Sequence, residues 1–254
     1  MQPHTTRAPA QAGNREQRGP PEELTRRTRT KRAKSNVKLK LDLHVHTTHS
    51  HDGFNTPQDI TKRLKEEGLD GYAIADHDTL TGIPEALKNS EGLVVIPAVE
   101  ITARGAHILS LQPTEPVPTG QTMAETVDAI HSQGATAVLA HPYGLPRTWI
   151  SINHAKEARL DAVEVANSAQ IPYDFIRGLN EGLAHRLGLP QTGGSDSHIP
   201  ETIGRAYTVV ETPSRDAEDV VKSIRGGLTA VHGTGTTMME RISKALRKKG
   251  KKEA

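Results

Sequence analysis

Cysteine is absent from this chain of 254 residues, which excludes disulfide bonds and thiolate metal sites. Any bound metal must therefore be held by nitrogen and oxygen ligands, which suit Mn, Fe or Zn. Aromatic residues make up only 3% of the chain, so its core must rest on Val, Ile, Leu and Ala. No run approaches the roughly 20 apolar residues of a membrane-spanning helix, and no secretory apolar segment follows Met1. We therefore expect a cytoplasmic protein without a membrane partner.

Charge is distributed unevenly along the chain, although the net charge is only +2. Residues 1–40 carry 11 basic and 3 acidic side chains, and residues 240–254 carry 7 and 2, whereas residues 41–239 carry 14 and 25. The body is thus acidic, which is consistent with carboxylate metal ligands, and both ends are basic. Two interpretations stay open, namely that the ends bind nucleic acid or that they are solvated tails.

Composition also predicts the domain organisation. Residues 1–36 are rich in Pro, Gln, Thr and Arg and nearly devoid of apolar side chains, which predicts a disordered basic tail. Residues 37–240 have the length and apolar content of one barrel-sized domain. Residues 241–254 are predicted to form a Lys-rich C-terminal tail.

Strand and helix signals alternate between the two tails. Apolar runs closed by Gly, Pro or polar residues predict eight strands, at Val37–His46, Gly71–Asp76, Leu93–Ile101, Ala106–Leu111, Ala135–His141, Ala162–Ala166, Leu189–Gly193 and Ala206–Val210. Helices are predicted at Thr56–Glu67, Ile83–Ser90, Thr122–Gln133, Tyr173–Leu187 and Ser214–Arg225, the last with Ser214 as its N-cap. This alternation favours an α/β fold with parallel strands, whose functional residues follow the carboxyl ends of the strands.

The segment Leu41–Gly53 begins as an apolar strand and ends in a burst of His and Asp residues. Because side chains alternate along a strand, His44 and His46 point the same way, and a carboxylate follows closely. Two imidazoles in this position are suited to a divalent metal. Further ligand-type residues appear at the ends of the later predicted strands, at Asp76-His77-Asp78, Glu100, His107, His141 and Asp196-Ser197-His198. Their recurrence with the strands indicates a shared metal site rather than a solvated surface.

These segments together form an ordered set of motifs. They read Asp-Leu-His-Val-His-Thr, Ser-x-Asp-Gly, Ala-Asp-His-Asp-Thr, Pro-Ala-Val-Glu-Ile, Ala-His-Pro and Gly-Ser-Asp-Ser-His. The set resembles the PHP (polymerase and histidinol phosphatase) family over about residues 39–230. The resemblance implies a distorted (β/α)7 barrel related to TIM barrels. It also implies metal-dependent hydrolysis of phosphoesters with two to three divalent ions, Mn, Fe or Zn.

Nine metal ligands are implied by the same resemblance, in three sets that meet at a bridging glutamate. The sets are His44, His46, Glu100 and Asp196 for the first ion, Glu100, His107 and His141 for the second, and Asp52, His77 and His198 for the third. One departure from the family pattern concerns the third set. His51 is inserted between Ser50 and Asp52 and competes with Asp52 as a ligand, and we favour Asp52.

Three further residues are candidates for catalytic roles. Asp76 and Asp78 flank His77, and we expect one of them to orient an imidazole by accepting its second ring N–H or to transfer a proton. Arg147 follows the His141-Pro142 motif by a short loop. Its guanidinium is expected either to clamp a phosphate or to form a salt bridge at the rim.

The predicted substrate is a small phosphomonoester, a nucleotide or the end of an oligonucleotide. Three branches of the family compete. A histidinol-phosphate phosphatase is disfavoured because no residue marks a histidinol pocket, and a nucleotide phosphatase or 5′–3′ exoribonuclease fits a short chain better. A polymerase-accessory protein acting in trans is the third. Two further hypotheses belong to other functional classes. One is a protein that binds nucleic acid through its basic tails, and the other is a protein that binds metal without hydrolysis.

Overall fold

A computed structural model describes residues 36–144 and 149–253, and of residues 251–253 only the backbone. Arg147 lies outside these residues, and so does the predicted N-terminal tail except for Asn36. The first strand begins at Val37, and the last helix runs from Met238 to Glu253, across the predicted boundary at residue 240. The domain boundaries themselves stay predictions.

Nine strands form one mixed sheet. They are β1 (Val37–Val45), β2 (Gly71–Ile74), β3 (Val94–Ala103), β4 (Ala106–Leu111), β5 (Thr136–Ala140), β6 (Ala162–Asn167), β7 (Gln191–Gly194), β8 (Ala206–Thr212) and β9 (Thr229–Gly233). Their order in the sheet is β7-β6-β5-β4-β3-β2-β1-β8-β9. The β1–β2, β2–β3, β5–β6 and β6–β7 pairs are parallel, while β4, β8 and β9 run antiparallel to their neighbours.

The first seven strands curl into a nearly closed barrel, because the segment after β7 returns to β1. Val45 forms a parallel bridge with Ser197, and the His46 N–H donates to the Ser197 carbonyl at 2.9 Å. Gly193 in β7 exchanges hydrogen bonds of 2.8 and 2.9 Å with the Thr208 hydroxyl in β8. The strand ends therefore meet around one rim, and the predicted α/β barrel is confirmed.

The barrel is distorted at β4. Only Arg104 and Gly105 separate it from β3, so the connection is a tight turn in which Gly105 takes a φ of 74° that favours glycine. Because β4 runs antiparallel to β3 and β5, its amino end lies at the rim where the parallel strands end. His107, the second residue of β4, is paired with Thr102 of β3 and so reaches that rim.

Seven α-helices lie within the described ranges, six of them between strands and the last after β9. They are α1 (Pro57–Glu66), α2 (Ile83–Lys88), α3 (Met123–Ser132), α4 (Ile152–Glu157), α5 (Tyr173–Leu187), α6 (Ala217–Arg225) and α7 (Met238–Glu253). Local chemistry fixes their ends, since Thr56 and Thr122 each form a capping box with the acidic residue three positions later. Gly188 ends α5 in the left-handed conformation, at a φ of 67°.

Most predicted elements are confirmed, with three additions and one correction. The additions are β9, α4 and α7, none of which was predicted as a complete element. The correction concerns α6, which begins at Ala217 with Asp216 at the N-cap position, not at Ser214. The Ser214 hydroxyl instead accepts from the Asp216 N–H at 3.0 Å and donates to Asp219 at 2.6 Å, and so forms a turn before the helix.

The core is aliphatic, as the shortage of aromatic residues predicted. One buried cluster joins strands β1 to β5 through side chains such as Leu41, Ala73, Ile96, Leu109 and Val138. Burial of this apolar surface holds neighbouring strands in register, and thereby places their ends relative to one another. None of the helices in the described ranges has both the length and the hydrophobicity to cross a membrane.

Candidate metal centre

All nine ligand-type residues from the sequence motifs converge at one rim of the barrel. His44, His46 and His77 are contributed by the ends of β1 and β2, and Glu100 and His107 by the hairpin of β3 and β4. The others are His141, Asp196 and His198, which follow β5 and β7, and Asp52, which lies in the loop after β1. Ligand atoms lie within 4.8 Å of one another in four overlapping triads, which are His46–His77–His198, His44–His141–Asp196, His44–His46–Glu100 and His77–Glu100–His107.

Glu100 lies at the centre of the cluster, with only 1% of its surface exposed. Its two oxygens face different imidazoles at 2.8 to 3.2 Å, Oε2 facing His44, His46 and His77, and Oε1 facing His107 and His141. A carboxylate with this double contact is placed to link two groups of nitrogen ligands. This is the geometry expected of the bridging ligand that the motifs implied.

A third group of ligand atoms surrounds Asp52. Its Oδ1 atom lies 3.1 Å from His198 Nε2 and 3.8 Å from His77 Nε2. The side chain of His51 is 74% exposed, and its Nε2 atom approaches Asp52 only to 4.0 Å. The structure therefore brings Asp52 into the cluster and leaves His51 at the edge.

The donor set fits a divalent cation. His44 Nε2 and His46 Nε2 face each other at 3.1 Å, beside Glu100 Oε2. That oxygen is buried, yet within the described part of the chain it receives no hydrogen bond of acceptable geometry. Converging nitrogen and oxygen lone pairs in a buried site are costly unless a cation satisfies them. The absence of thiolates agrees with a site for Mn, Fe or Zn.

The electrostatics of the cluster also favour positive charge. Burial raises the pKa of Glu100, but the charge of His44 and hydrogen bonds from His107 and His141 hold that pKa well below its ordinary value. Burial lowers the pKa of His46, yet its close contacts with the carboxylates of Asp196 and Glu100 raise that pKa to about 9. The negative potential that stabilises an imidazolium here would equally attract a divalent cation.

Glu164 orients the imidazole of His44, a role that the sequence motifs did not reveal. Its Oε1 atom lies 2.9 Å from His44 Nδ1, and its Oε2 atom accepts from the His141 backbone N–H at 3.0 Å. Asn167 donates to the same oxygen at 3.0 Å and to Asp196 Oδ2 at 3.2 Å. The signal was present in the sequence, since Glu164 is a carboxylate inside the apolar run of β6. Such partners fix the ring orientation and basicity of a metal ligand.

Asp76 and Asp78 make their hydrogen bonds to threonines. Asp76 accepts from the N–H and hydroxyl of Thr47 at 2.6 and 2.7 Å, and Asp78 from those of Thr102 at 2.7 and 2.8 Å. Among the described residues, no hydrogen bond joins either carboxylate to an imidazole. The contact that orients an imidazole is therefore made by Glu164 and not by Asp76 or Asp78. A proton-transfer role for Asp76 or Asp78 stays a prediction.

The backbone is left-handed at three strand ends around the cluster. Asp78, His141 and Asp196 have φ values of 55°, 29° and 52°. Such values are uncommon outside glycine, and they persist where surrounding contacts hold a functional side chain in place. The hydrogen bonds of Asp78 to Thr102 and of the His141 N–H to Glu164 are two of those contacts.

A cleft of about 530 Å³ opens onto the cluster. Seven of the nine predicted ligands line it, whereas His44 and His46 lie fully buried beneath. Lys244 of α7 also lines the cleft. It lies in the segment that composition marked only as a Lys-rich tail, so its place at the site depends on tertiary structure.

The chain is similar to known proteins in both sequence and fold. Residues 178–229 match the PHP-associated family model. The chain is 33% identical over 119 residues to the uncharacterized protein MJ1587 of Methanocaldococcus jannaschii, covering 46% of this chain and 69% of that protein. The chain belongs to the PHP family. Its PHP barrel matches a two-domain protein from Bacteroides vulgatus that contains a predicted PHP-like metal-dependent phosphoesterase, with a TM-score of 0.66 at 20% identity, covering 78% of this chain and 66% of that one.

A second relative carries a named activity. The 5′-3′ exoribonuclease of Haemophilus influenzae is 32% identical over 169 residues, covering 63% of this chain and 60% of the exoribonuclease. The PHP chain thus spans less than two thirds of that relative's length. The activity named for that relative is the hydrolysis of RNA, a phosphodiester.

Proposed function

We propose that this PHP protein hydrolyses phosphoesters with divalent metal ions held at the rim of its barrel. The observation that supports this best is the double contact of Glu100, whose two oxygens face separate groups of imidazoles at 2.8 to 3.2 Å. In this proposal Glu100 and the imidazoles that face its two oxygens would hold two ions, and Asp52, His77 and His198 would hold a third. The native metal is Mn, Fe or Zn.

When bound, such ions would supply Lewis-acid polarisation of the phosphoryl group and activation of the attacking water. The protein's own contribution is to keep the ligands rigid and correctly ionised. Glu164 holds His44 through its Nδ1 atom and fixes the backbone of His141, so that two ligands share one support. Asn167 joins this support to Asp196. Preorganised ligands of this kind lower the cost of reorganisation during reaction.

The substrate that we favour is a nucleotide or the end of an oligonucleotide. The relative from Haemophilus influenzae is a 5′-3′ exoribonuclease, and the cleft of about 530 Å³ has room for a nucleotide-sized group beside the cluster. A small phosphomonoester is the alternative. Among the described residues that line the cleft, none marks it for histidinol phosphate in particular.

Metal analysis and a substrate panel test the proposal together. The purified chain would be loaded with Mn and assayed on p-nitrophenyl phosphate, 5′-mononucleotides and short 5′-phosphorylated RNA and DNA. Two to three ions per chain with turnover on one class would support the enzyme and name its branch. Full loading without turnover on any of them would contradict hydrolysis and leave a metal-binding protein.

Removal of metal is expected to lower the melting temperature. Ions that bind only the folded state stabilise it by about 2.7 kcal/mol at a free concentration of 100 times Kd. A chelator followed by calorimetry should therefore shift the transition down by about 5 to 10 °C, and added Mn should restore it. An identical melting temperature with and without chelator would show that the cluster binds no ion tightly.

Glu164→Gln is expected to weaken metal binding by about 10-fold to 100-fold, because the amide is a weaker acceptor for the His44 ring N–H. The measurement is the Kd for Mn by titration, together with kcat at saturating metal. The matched control is Glu181→Gln on α5, whose carboxylate pairs with Arg177 away from the cluster. Equal Mn affinities for the two variants would rule out a positioning role for Glu164.

A further inference from the structure

Helix α7 is fastened to the rim of the metal site. Its first turn is a capping box, in which the Thr237 N–H donates to Glu240 at 2.6 Å and the Glu240 N–H donates to Thr237 at 3.3 Å. Glu240 also accepts from Arg205 Nε at 2.9 Å. The Arg241 guanidinium donates to the carbonyls of Ala169 and Gln170 at 3.2 and 3.4 Å, and these two residues line the cleft. The helix is therefore part of the wall of the site.

Lys244 follows Arg241 by three residues, so both lie on one face of the helix. That face turns toward the cleft, which Lys244 lines together with Asp52, Glu100 and Asp196. Among the residues that the structure describes, no carboxylate lies within ion-pair distance of the Lys244 ammonium. Arg247 on the same helix differs, because it pairs with Glu201 at 2.6 Å. The charge of Lys244 is thus available to an anion bound in the cleft.

Positive charge continues along α7 beyond the cleft. Lys248 lies one helical turn after Lys244, and Lys248 and Lys249 are both exposed. The sequence goes on with Lys251 and Lys252. Residues 240–254 carry 7 basic and 2 acidic side chains, next to a body of opposite charge. A small phosphomonoester in the cleft would meet Lys244, whereas a longer polyanion could also contact Lys248 and Lys249.

We propose that α7 is a substrate-binding element, in which Lys244 binds the phosphate at the metal site and the lysines beyond it hold the backbone of a polynucleotide. The inference rests on the proposed phosphoester hydrolysis, which it deepens by naming the substrate class. Lysine binds phosphate as a point charge, so the contact requires no particular base sequence.

Binding and turnover of the full chain test this role. The binding probe is a short, 5′-phosphorylated, fluorescent oligoribonucleotide with phosphorothioate linkages, followed by anisotropy over a range of salt concentrations. Turnover is measured on the natural oligoribonucleotide and on p-nitrophenyl phosphate, with Mn content checked for each variant. The variants are Lys244→Ala and the pair Lys248→Ala with Lys249→Ala. The control is Lys222→Ala, an exposed lysine in the last turn of α6.

Lys244→Ala should raise the Kd of the oligonucleotide and the KM of both substrates by about 10-fold, with Mn content unchanged. The pair at 248 and 249 should raise the Kd and KM of the oligonucleotide by about 3-fold to 10-fold and leave p-nitrophenyl phosphate unaffected. Each lost phosphate contact should reduce the slope of log Kd against log salt by about 1. Lys222→Ala should match the wild type.

Three outcomes would overturn the inference. If all variants match Lys222→Ala in Kd and salt slope, α7 binds no substrate. If only Lys244→Ala has an effect, and equally on both substrates, the polynucleotide path along α7 is wrong. If the metal-loaded wild type neither hydrolyses the two substrates nor binds the oligonucleotide, both proposals fail. Inactivity with binding that still depends on Lys244, Lys248 and Lys249 would contradict hydrolysis alone and support the role of α7.

Discussion

Glu100→Gln is expected to lower both metal content and turnover by about 100-fold or more. Glutamine has the size of glutamate, so the barrel keeps its packing while the central negative charge disappears. Five imidazole nitrogens lie within 3.2 Å of the two carboxylate oxygens, and an amide offers only one oxygen to them. Two groups of ligands would therefore lose their common member at once.

The measurement for this variant is the number of ions per chain and kcat on the best substrate of the panel. His49→Ala is the matched control, since His49 lies in the loop after β1, close in sequence to His46, but contacts Glu85 at 3.0 Å, outside the cluster. It should keep its metal and lose little activity. A Glu100→Gln protein with full metal content and wild-type turnover would refute the bridging role. Melting temperatures of both variants exclude a loss of folding as the cause.

Much of the site was predictable because most of its ligands lie at or just after the ends of successive strands. His44 lies near the end of β1 and His46 directly after it, and His77, His141 and Asp196 follow the ends of β2, β5 and β7. The rule for parallel strand ends therefore brings them together. His107 was harder to place, because β4 runs antiparallel and contributes its amino end. Its position depends on the turn at Arg104 and Gly105. The periodicity of the sequence does not reveal the geometry of that turn.

The residues that escaped prediction act through tertiary contacts. Glu164 is separated from His44 by 120 residues in sequence, and only the closure of the barrel joins them. Lys244 lies in a segment whose composition indicates a solvated tail, and its position depends on the anchoring of α7 by Arg205 and Arg241. Strand β9 was missed because each of its residues is partly or fully exposed, so no apolar alternation marks it.

The charge asymmetry of the chain acquires a structural meaning through α7. The ligand cluster requires carboxylates, and an acidic body repels a phosphorylated substrate at a distance. A basic helix beside the cleft would offset that repulsion where the substrate enters. This effect should weaken with salt more steeply for a polynucleotide than for a compact phosphoester, because more phosphates take part. The salt dependence of KM for the two substrates is therefore a direct measure of how far the basic surface extends.

Gly194→Ala is expected to disrupt the closure of the barrel and the metal site together. A Cβ atom at Gly194 would lie 2.4 Å from His44 Cβ and 2.6 Å from the His44 backbone nitrogen, so either β7 or β1 must move. Both strands carry ligands, because His44 lies in β1 and Asp196 follows β7 by two residues. We expect the free energy of unfolding to fall by about 2 to 3 kcal/mol, the melting temperature by about 5 to 10 °C, and the affinity for Mn as well.

Gly182→Ala supplies the control with the opposite sign. Gly182 lies inside α5, and a Cβ atom there would meet nothing within 4 Å. Alanine at such a position reduces the freedom of the unfolded chain and should stabilise the protein by about 0.4 to 1 kcal/mol. Calorimetry and Mn titration of the two variants separate a general effect of an added methyl group from a clash at the closure. If Gly194→Ala melts at the wild-type temperature and binds Mn equally well, the approach of β7 to β1 does not position the ligands, and the site is held by its hydrogen bonds alone.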